Sequence, residues 1–242
     1  MTYETLLVTI RGGGSMTLRA CGLAGLGFGT MLTVAAPPVM AQPRELPATV
    51  VTLTGKAEVY KKGDTAWKPA ELRAELGEGD GIRTSPSVRA TLRTGGGHAI
   101  RVAALSQVFF LPAEGSGEDQ PVRVRMDRGW IWVAVAQGAS ARPPVEVRIG
   151  LTRVSLRNGG VGLRLGRDGA VLVRVYHGLV TIMGAGTPPA WERVLGDDQE
   201  LLVGPTGAPA DVRKLSREPV EASWVLWNEE QDYAAYGGKP PR

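Results

Sequence analysis

The chain has 242 residues, a length that fits one or two domains. Its 28 Lys and Arg side chains against 24 Asp and Glu give a net charge of +4, and its arginines are spread out, which does not indicate a nucleic-acid-binding protein. With a single cysteine, the chain excludes a disulfide-stabilised scaffold.

Residues 1–41 predict a cleaved export signal, with an uncleaved anchor as the alternative interpretation. Arg11 and Arg19 supply a basic region, the uncharged run Ala20–Ala36 follows, and a small-residue cleavage site ends at Ala41. The run contains several glycines and stops short of the ~20 strongly apolar residues that a membrane span prefers. We therefore expect a periplasmic or secreted protein that has no stable membrane span after cleavage.

The predicted signal also bears on the start of translation and on the content of the mature chain. Met16 is a second candidate start of translation, because the residues before it add little to a signal. Cys21 lies inside the signal, in a context that does not indicate lipid attachment, so the mature chain would contain no cysteine. Residues 42–49 are expected to form a linker and residues 237–242 a tail.

Residues 50–215 predict an all-β domain. Short runs of alternating apolar and polar residues are separated by glycine-containing turns such as Gly95-Gly96-Gly97. Only residues 69–76 show weak helical spacing. The predicted strand runs are Val50–Tyr60, Ile82–Arg93, Ala99–Leu111, Val122–Val135, Val145–Arg157, Val161–Leu165, Ala170–Met183 and Glu200–Val203.

Glycines inside these runs predict bent strands. After Gly55, Gly129 and Gly178, apolar residues follow at the second and fourth positions. Glycine tolerates a positive φ or a β-bulge, so a strand can turn sharply there and resume its alternation. The pattern favours a solenoid-like or sandwich-like arrangement over a flat sheet, and leaves a true repeat open.

Residues 216–236 predict an amphipathic C-terminal helix. Ser216 is its expected N-cap, and Val220, Trp224 and Trp227 share one face at helical spacing. Two interpretations remain open, namely a terminal helix docked on the β domain and a helix that binds a partner.

Two more tryptophans lie in one predicted strand. Alternation sends Trp130 and Trp132 to one face and Ile131 with Val133 to the other, so both faces are apolar. Either the strand is buried on both sides, or the tryptophan face meets a ligand or partner, with stacking on sugar rings as one such use.

The segment Gly79-Asp80-Gly81 predicts a tight turn that starts a strand through Arg83 and Thr84. An aspartate in such a turn can accept hydrogen bonds from backbone N–H groups. The alternative places Asp80 and Arg83 on a docking surface.

Over roughly residues 50–207 the sequence resembles the FecR-like domain family. Segment Gly79–Thr84 is the specific part of the resemblance, and Asn158-Gly159-Gly160 stands where the family often has an Arg-Gly-Thr turn, which Asn-Gly still supports. Four blocks at the start of the domain carry the resemblance in the family's order: Gly55–Val59, Trp67, Gly79–Thr84 and Ser87–Leu92.

The resemblance implies a β-solenoid-like periplasmic module. In its best-known setting, this module belongs to an inner-membrane regulator that relays occupancy of an outer-membrane iron–siderophore transporter to a cytoplasmic sigma factor. Since no cytoplasmic helical region precedes the apolar run here, we expect a stand-alone form without the anti-sigma region. The leading hypothesis is an exported, non-catalytic module that binds an envelope protein in signalling or assembly.

Three function classes therefore stand side by side. For protein binding, the candidate residues are Trp130, Trp132, Trp224 and Trp227; binding of envelope glycan or peptidoglycan by Trp130 and Trp132 is the alternative. A hydrolase with an unrecognised carboxylate pair is the third class. No cofactor and no metal are expected, because the only histidines, His98 and His177, lack metal-ligand spacing.

Overall fold

The computed structural model describes residues 47–114, 120–135, 144–184 and 190–237. The predicted signal at 1–41 lies outside them, as do 42–46 of the linker and 238–242 of the tail. The strands of the described residues are β1 (Ala48–Thr54), β2 (Ala57–Tyr60), β3 (Lys68–Pro69), β4 (Glu75–Leu76), β5 (Gly81–Thr84), β6 (Arg89–Thr94), β7 (Ala99–Val102), β8 (Gln107–Phe110), β9 (Val122–Val135), β10 (Val145–Ile149), β11 (Thr152–Leu165), β12 (Val171–Gly184), β13 (Trp191–Leu195), β14 (Gln199–Val203) and β15 (Arg213–Lys214).

All these strands belong to one mixed sheet, which is not closed. Every pairing among them is antiparallel except that of β9 with β10, which is parallel. Helix α1 (Ala222–Tyr236) follows the last strand. The all-β class with a C-terminal helix is therefore confirmed.

The three longest strands, β9, β11 and β12, bend at glycines. Gly129, Gly159 and Gly178 have φ values of 92°, 100° and 94°. Gly159 faces Gly178 across β11 and β12, and a Cβ on Gly159 would overlap the carbonyl oxygen of His177. Only glycine fits at this crossing, so both strands turn together there.

The bends fold the sheet into two halves. Before Gly129, β9 pairs with β8 and β10; after it, the same strand pairs with β7 and β11. Strands β2, β3, β5, β10 and β13 complete the first half, and β1, β4, β6, β14 and β15 the second.

One hydrophobic core lies between these halves. Ile82 and Phe110 enter it from the first half and Leu92 and Ile100 from the second, all at most 1% exposed. Strands that bend from one half to the other are a usual way to build a sandwich-like core.

Four local predictions were wrong. The run Val145–Arg157 splits at Gly150-Leu151, and its second part is continuous with Val161–Leu165 in β11. Asn158-Gly159 is not a tight turn but a bend inside β11 with a shifted register, and the chain reverses instead at Gly150-Leu151. The runs Ile82–Arg93 and Ala99–Leu111 each split into two strands, because each serves both halves of the sheet. Ser87 and Leu105 adopt positive φ at the two splits. Residues 69–76 contain no helix: Pro69 ends β3, and Glu75–Leu76 form β4.

The C-terminal helix starts later than predicted. A 3-10 turn covers Pro219–Glu221, α1 begins at Ala222, and Ser216 does not cap it. Glu218 is extended, with φ −82° and ψ 131°, because a residue before proline is kept out of helical conformation. Gly237, with φ 68°, ends the helix.

Candidate functional site

Helix α1 covers the outer face of the second half of the sheet. A row of neighbouring residues crosses this face from strand to strand: Arg101, Trp132, Gly162, Arg174 and Glu200. A Cβ on Gly162 would meet Tyr176 at 3.2 Å, so the small residue leaves room for the aromatic rings around it. This face is polar at both ends and aromatic in the middle.

All four tryptophans singled out in the sequence meet beneath this helix. Trp132 and Trp224 are 0% and 5% exposed, and Trp130 and Trp227 are half-buried. The Trp132 ring lies 4.4 Å from that of Tyr176, Trp130 lies 5.7 Å from Trp224, and Trp224 stacks on Trp227 at 5.5 Å. Thus β9 is buried on both faces from Ile131 to Val135, and the helix is docked on the β domain. A partner or glycan role of these tryptophans stays a prediction.

Asp232 anchors the middle of the helix to the sheet. Its carboxylate accepts hydrogen bonds from Arg101 at 2.5 Å and from Trp132 Nε1 at 2.8 Å, and His177 Nε2 lies 3.5 Å away. Both partners of the ion pair are buried. Asn228, one turn earlier, donates to the carbonyl of Trp224 at 2.7 Å. Asp232 and Asn228 therefore each have specific hydrogen-bond partners in this layer.

A second ion-pair network anchors the start of the helix. The buried guanidinium of Arg174 binds Glu200 at 3.1 Å, Glu218 at 3.3 Å and also Glu221, which Arg164 binds as well. Burial alone would lower the pKa of Arg174, but the charges of Glu221 and Glu200 and the hydrogen bond to Glu200 raise it above its ordinary value. The carboxylates that converge here are thus held by arginines.

A groove of about 600 Å³ runs beside the helix, between α1 and strands β1, β6 and β7. Its floor is the sheet face described above, continued toward β1. Three types of side chain line it: threonines (Thr52, Thr54, Thr91), arginines (Arg89, Arg93, Arg101) and, from the helix, Trp227, Gln231 and Ala235.

Two arginines of the groove have no carboxylate partner among the described residues. The guanidinium of Arg89 lies over the rings of Trp224 and Trp227, at 5.2 and 5.5 Å. That of Arg93 donates to the carbonyl of Gly97 at 3.2 Å and reaches the hydroxyl of Tyr236 at 3.5 Å. The groove therefore holds positive charge that the described chain does not neutralise.

The Gly79–Thr84 segment lies in the first half of the sheet. Asp80 is buried and accepts hydrogen bonds from the backbone N–H groups of Lys62 at 2.8 Å and Gly77 at 2.7 Å, and from Lys61 Nζ at 2.7 Å. Burial would raise the pKa of Asp80, but these hydrogen bonds outweigh it and hold the pKa below its ordinary value. All three hydrogen-bond partners of this carboxylate therefore lie within the β domain.

The other members of this segment also have internal partners. Gly79 has a φ of 85°. Arg83 binds Glu58 at 2.6 Å and lies 4.6 Å from the ring of Trp67. Thr84 donates from its hydroxyl to the carbonyl of Ala103 at 2.5 Å.

In the part of the chain that the structure describes, no group of three or more His, Cys, Asp or Glu side chains could hold a metal ion. His98 lies in the turn before β7, and His177 lies on β12 beside Asp232. Helix α1 is too short and too polar to cross a membrane, and no other described helix could do so.

The model of the FecR protein family matches residues 80–181. This part of the chain is similar to a FecR domain. The match runs from Asp80 to Thr181 on β12, so it includes the three glycines at which the strands bend. The FecR match thus includes strands of both halves of the sheet and ends before α1.

Other comparisons show a distant likeness. No curated protein matches the chain. Two crystal structures of a proposed anti-sigma factor from Parabacteroides distasonis, at 2.50 and 1.65 Å resolution, share 17% and 16% identity with it. In both cases the likeness covers 64% of this chain and 74% of the other, with a TM-score of 0.46.

The sequence reasoning missed the polar anchors of the helix and the arginines of the groove. Asn228 and Asp232 follow Trp224 at four-residue spacing, so they share its buried face, and this signal was present in the sequence. The groove arginines carry no such signal, since the topology brings them together from β6 and β7.

Proposed function

We propose that this protein is exported to the cell envelope and binds a protein partner there, without catalysing a reaction, in signalling or assembly. The FecR match supports a signalling-related regulatory role. The observation that carries partner binding is the groove beside α1, where Arg89 and Arg93 lie next to Trp227 without a carboxylate partner among the described residues. Arginine and tryptophan are the side chains most enriched at binding hot spots.

The arrangement of the described carboxylates supports a non-catalytic role. A glycosidase needs two carboxyl groups that flank an open site, one of them able to donate a proton. Glu200 and Glu221 converge, but both are buried and bind Arg174, which lies between them. This is an arrangement that fastens a helix.

The glycan alternative draws less support from the geometry than from the sequence. Stacking on a sugar needs an exposed ring face, whereas Trp132 is fully buried beneath α1. Trp130 is half-buried and packs edge-on against Trp224.

Export is tested by expressing the full chain with a C-terminal tag and fractionating the cells. We expect the tagged protein in the periplasm or medium, with a new N-terminus at Gln42. An intact N-terminus in the cytoplasmic fraction would contradict export.

Partner binding is tested in living cells by placing a photo-crosslinking amino acid at Gln231, on the helix side of the groove, or at Leu179, which is 59% exposed and lies in the first half of the sheet. We expect one discrete adduct with an envelope protein from position 231 and none from position 179. If neither position yields an adduct, protein binding is wrong.

A further inference from the structure

The first half of the sheet has an outer face of its own, and within the described ranges no helix lies over it. Residues of this face alternate with core residues such as Val124, Val147 and Val154, so they point away from the core. The face spans about 24 Å from β2 to β11 and is aromatic at one end and cationic at the other. One row of neighbouring residues crosses it from strand to strand: Tyr60, Gly81, Phe109, Arg125, Arg148 and Arg153.

The cationic end of the row is a ladder of three arginines on adjacent strands. Arg125 pairs with Arg148 across β9 and β10, and Arg148 pairs with Arg153 across β10 and β11, so the neighbouring Cα atoms are about 5 Å apart. Like charges that lie opposite each other in a sheet are destabilising. The three side chains are 47%, 33% and 41% exposed. An anion that reaches this arginine ladder from solvent would therefore relieve the repulsion.

The carboxylates that contact the arginine ladder do not match its charge. Asp127 binds Arg125 at 2.7 Å. Arg153 has one ion-pair partner within the described ranges, Glu146, at 3.6 Å. Glu146 and Glu114 are together shared by three arginines: Arg123, Arg148 and Arg153. Three carboxylates thus face four guanidinium groups, which leaves an excess of positive charge.

Trp67, in the loop before β3, joins the aromatic end of the row. Its ring lies 5.7 Å from those of Tyr60 and Phe109, which are 6.2 Å from each other. All three side chains are half-buried, so part of each is open to solvent. A Cβ on Gly81 would meet the Phe109 ring at 2.6 Å, so the glycine lets this ring lie over the strand. The guanidinium of Arg125 lies 4.8 Å from the Phe109 ring and connects the two ends of the row.

The composition of the row favours a glycan over a protein as its ligand. The centre of a protein interface is depleted in charged residues, whereas the middle of this row is charged. An aromatic ring offers a flat apolar surface to the C–H groups of a sugar ring. An arginine binds a carboxylate through two parallel hydrogen bonds. A sugar chain that carries acid groups supplies both kinds of contact.

We propose that the outer face of the first half binds an extended acidic glycan, which lies across the strands, packs sugar rings on Tyr60 and Trp67 and places carboxylates on the arginine ladder. This surface is separate from the groove beside α1 and from the tryptophans beneath the helix. The inference therefore goes beyond the proposed function and does not depend on it.

The test measures binding of the purified full chain to fluorescein-labelled octagalacturonate by fluorescence anisotropy. Exchanging both Arg125 and Arg153 for Gln is expected to weaken binding about 100-fold, because two charge-assisted contacts are lost. The matched control, Arg93→Gln with Arg167→Gln, removes two exposed charges from the second half and should stay within about twofold. Equal affinity of the ladder variant and wild type would overturn the proposal. A loss of binding in the control variant alone would also overturn it, because the glycan would then lie on the second half.

A single variant guards against a fault in folding. Arg153 is partly exposed and makes one long ion pair, so its loss should leave the urea midpoint unchanged. Arg153→Gln alone is expected to weaken binding about tenfold. No change in affinity would remove Arg153 from the site and overturn the proposed pairing.

A second single variant tests the aromatic end. Trp67→Leu keeps an apolar side chain and removes the flat ring, and we expect it to weaken binding about tenfold. Trp227→Leu changes a half-buried tryptophan of the second half in the same way and should stay within about twofold. Equal affinity of the two variants would overturn the stacking on Trp67.

Two unlabelled competitors test the chemistry of the ligand. Octagalacturonate with every carboxylate methyl-esterified keeps the sugar chain and loses the charge, and we expect it to compete at least tenfold more weakly than the acid. Equal competition by the ester would overturn the role of the arginine ladder. Stronger competition by an octapeptide of alternating Glu and Val would assign this face to an acidic protein segment and overturn the glycan.

Discussion

Asp232 on α1 and Arg101 on β7 form an ion pair at 2.5 Å although 131 positions separate them in the chain, and their side chains are only 3% and 4% exposed. The same carboxylate accepts the indole N–H of Trp132 at 2.8 Å. One side chain of the helix therefore satisfies two buried donors of the sheet.

Asp232→Ala should lower the free energy of unfolding by about 3 kcal/mol, because it leaves the buried Arg101 without its counter-charge. Urea denaturation followed by tryptophan fluorescence measures the change. Glu230→Ala, an exposed carboxylate on the same helix, is the control and should change stability by less than about 0.5 kcal/mol. A similar small change for both variants would show that the pair contributes little.

Trp224→Ala should destabilise the protein by about 3 kcal/mol, since it removes a buried ring that packs between Trp130 and Trp227. Tyr233→Ala removes a ring that is 50% exposed on the same helix, and we expect about 1 kcal/mol or less. Both values come from urea unfolding. Equal losses would contradict the packing of the helix described above.

Asp80→Asn should destabilise the protein by about 2 kcal/mol at pH 7, because an amide nitrogen cannot accept the hydrogen bonds that one carboxylate oxygen receives. The pKa of Asp80 is lowered in the folded protein, so its contribution is complete above the unfolded value of about 3.9 and is lost as pH falls through the lower folded value. The difference between variant and wild type should therefore shrink from pH 4 toward pH 2. Asp211→Asn, an exposed position, should show no such trend.

Gly159→Ala should cost at least about 3 kcal/mol more than Gly150→Ala. Both glycines have positive φ, but an added Cβ meets nothing within 4 Å at Gly150, whereas at Gly159 it overlaps the backbone of β12. Soluble yield and urea midpoints give the comparison. If both variants lose the same stability, the close approach of β11 and β12 does not limit the residue at position 159.

Much of the fold was within reach of the sequence because alternation and glycine punctuation are local signals. Runs such as Val122–Val135 became one strand with the predicted bounds, and the bends at Gly129 and Gly178 fall where the pattern put them. The alternating pattern could not predict that Ile82–Arg93 splits into two strands. Its apolar residues face the same core from both halves, so the period continues across the turn at Ser87.

The candidate site was harder to predict, since it depends on contacts between distant segments. The tryptophans could be named from their size and spacing, but their meeting beneath α1 follows from the register that aligns Arg101 with Trp132. Helical face analysis gave weight to Trp227 and overlooked Asn228 and Asp232, because polar side chains are expected outside. Here the two polar side chains are buried, because Arg101 on the sheet binds both of them.

The bent strands β9, β11 and β12 determine how the protein unfolds. Each contributes one end to either half of the sheet, so neither half possesses a complete set of strands of its own. Separating the halves would break all three strands at their glycines and expose the one core that they share. Unfolding should therefore be a single all-or-none transition, and no cut between the halves would yield an independently stable fragment.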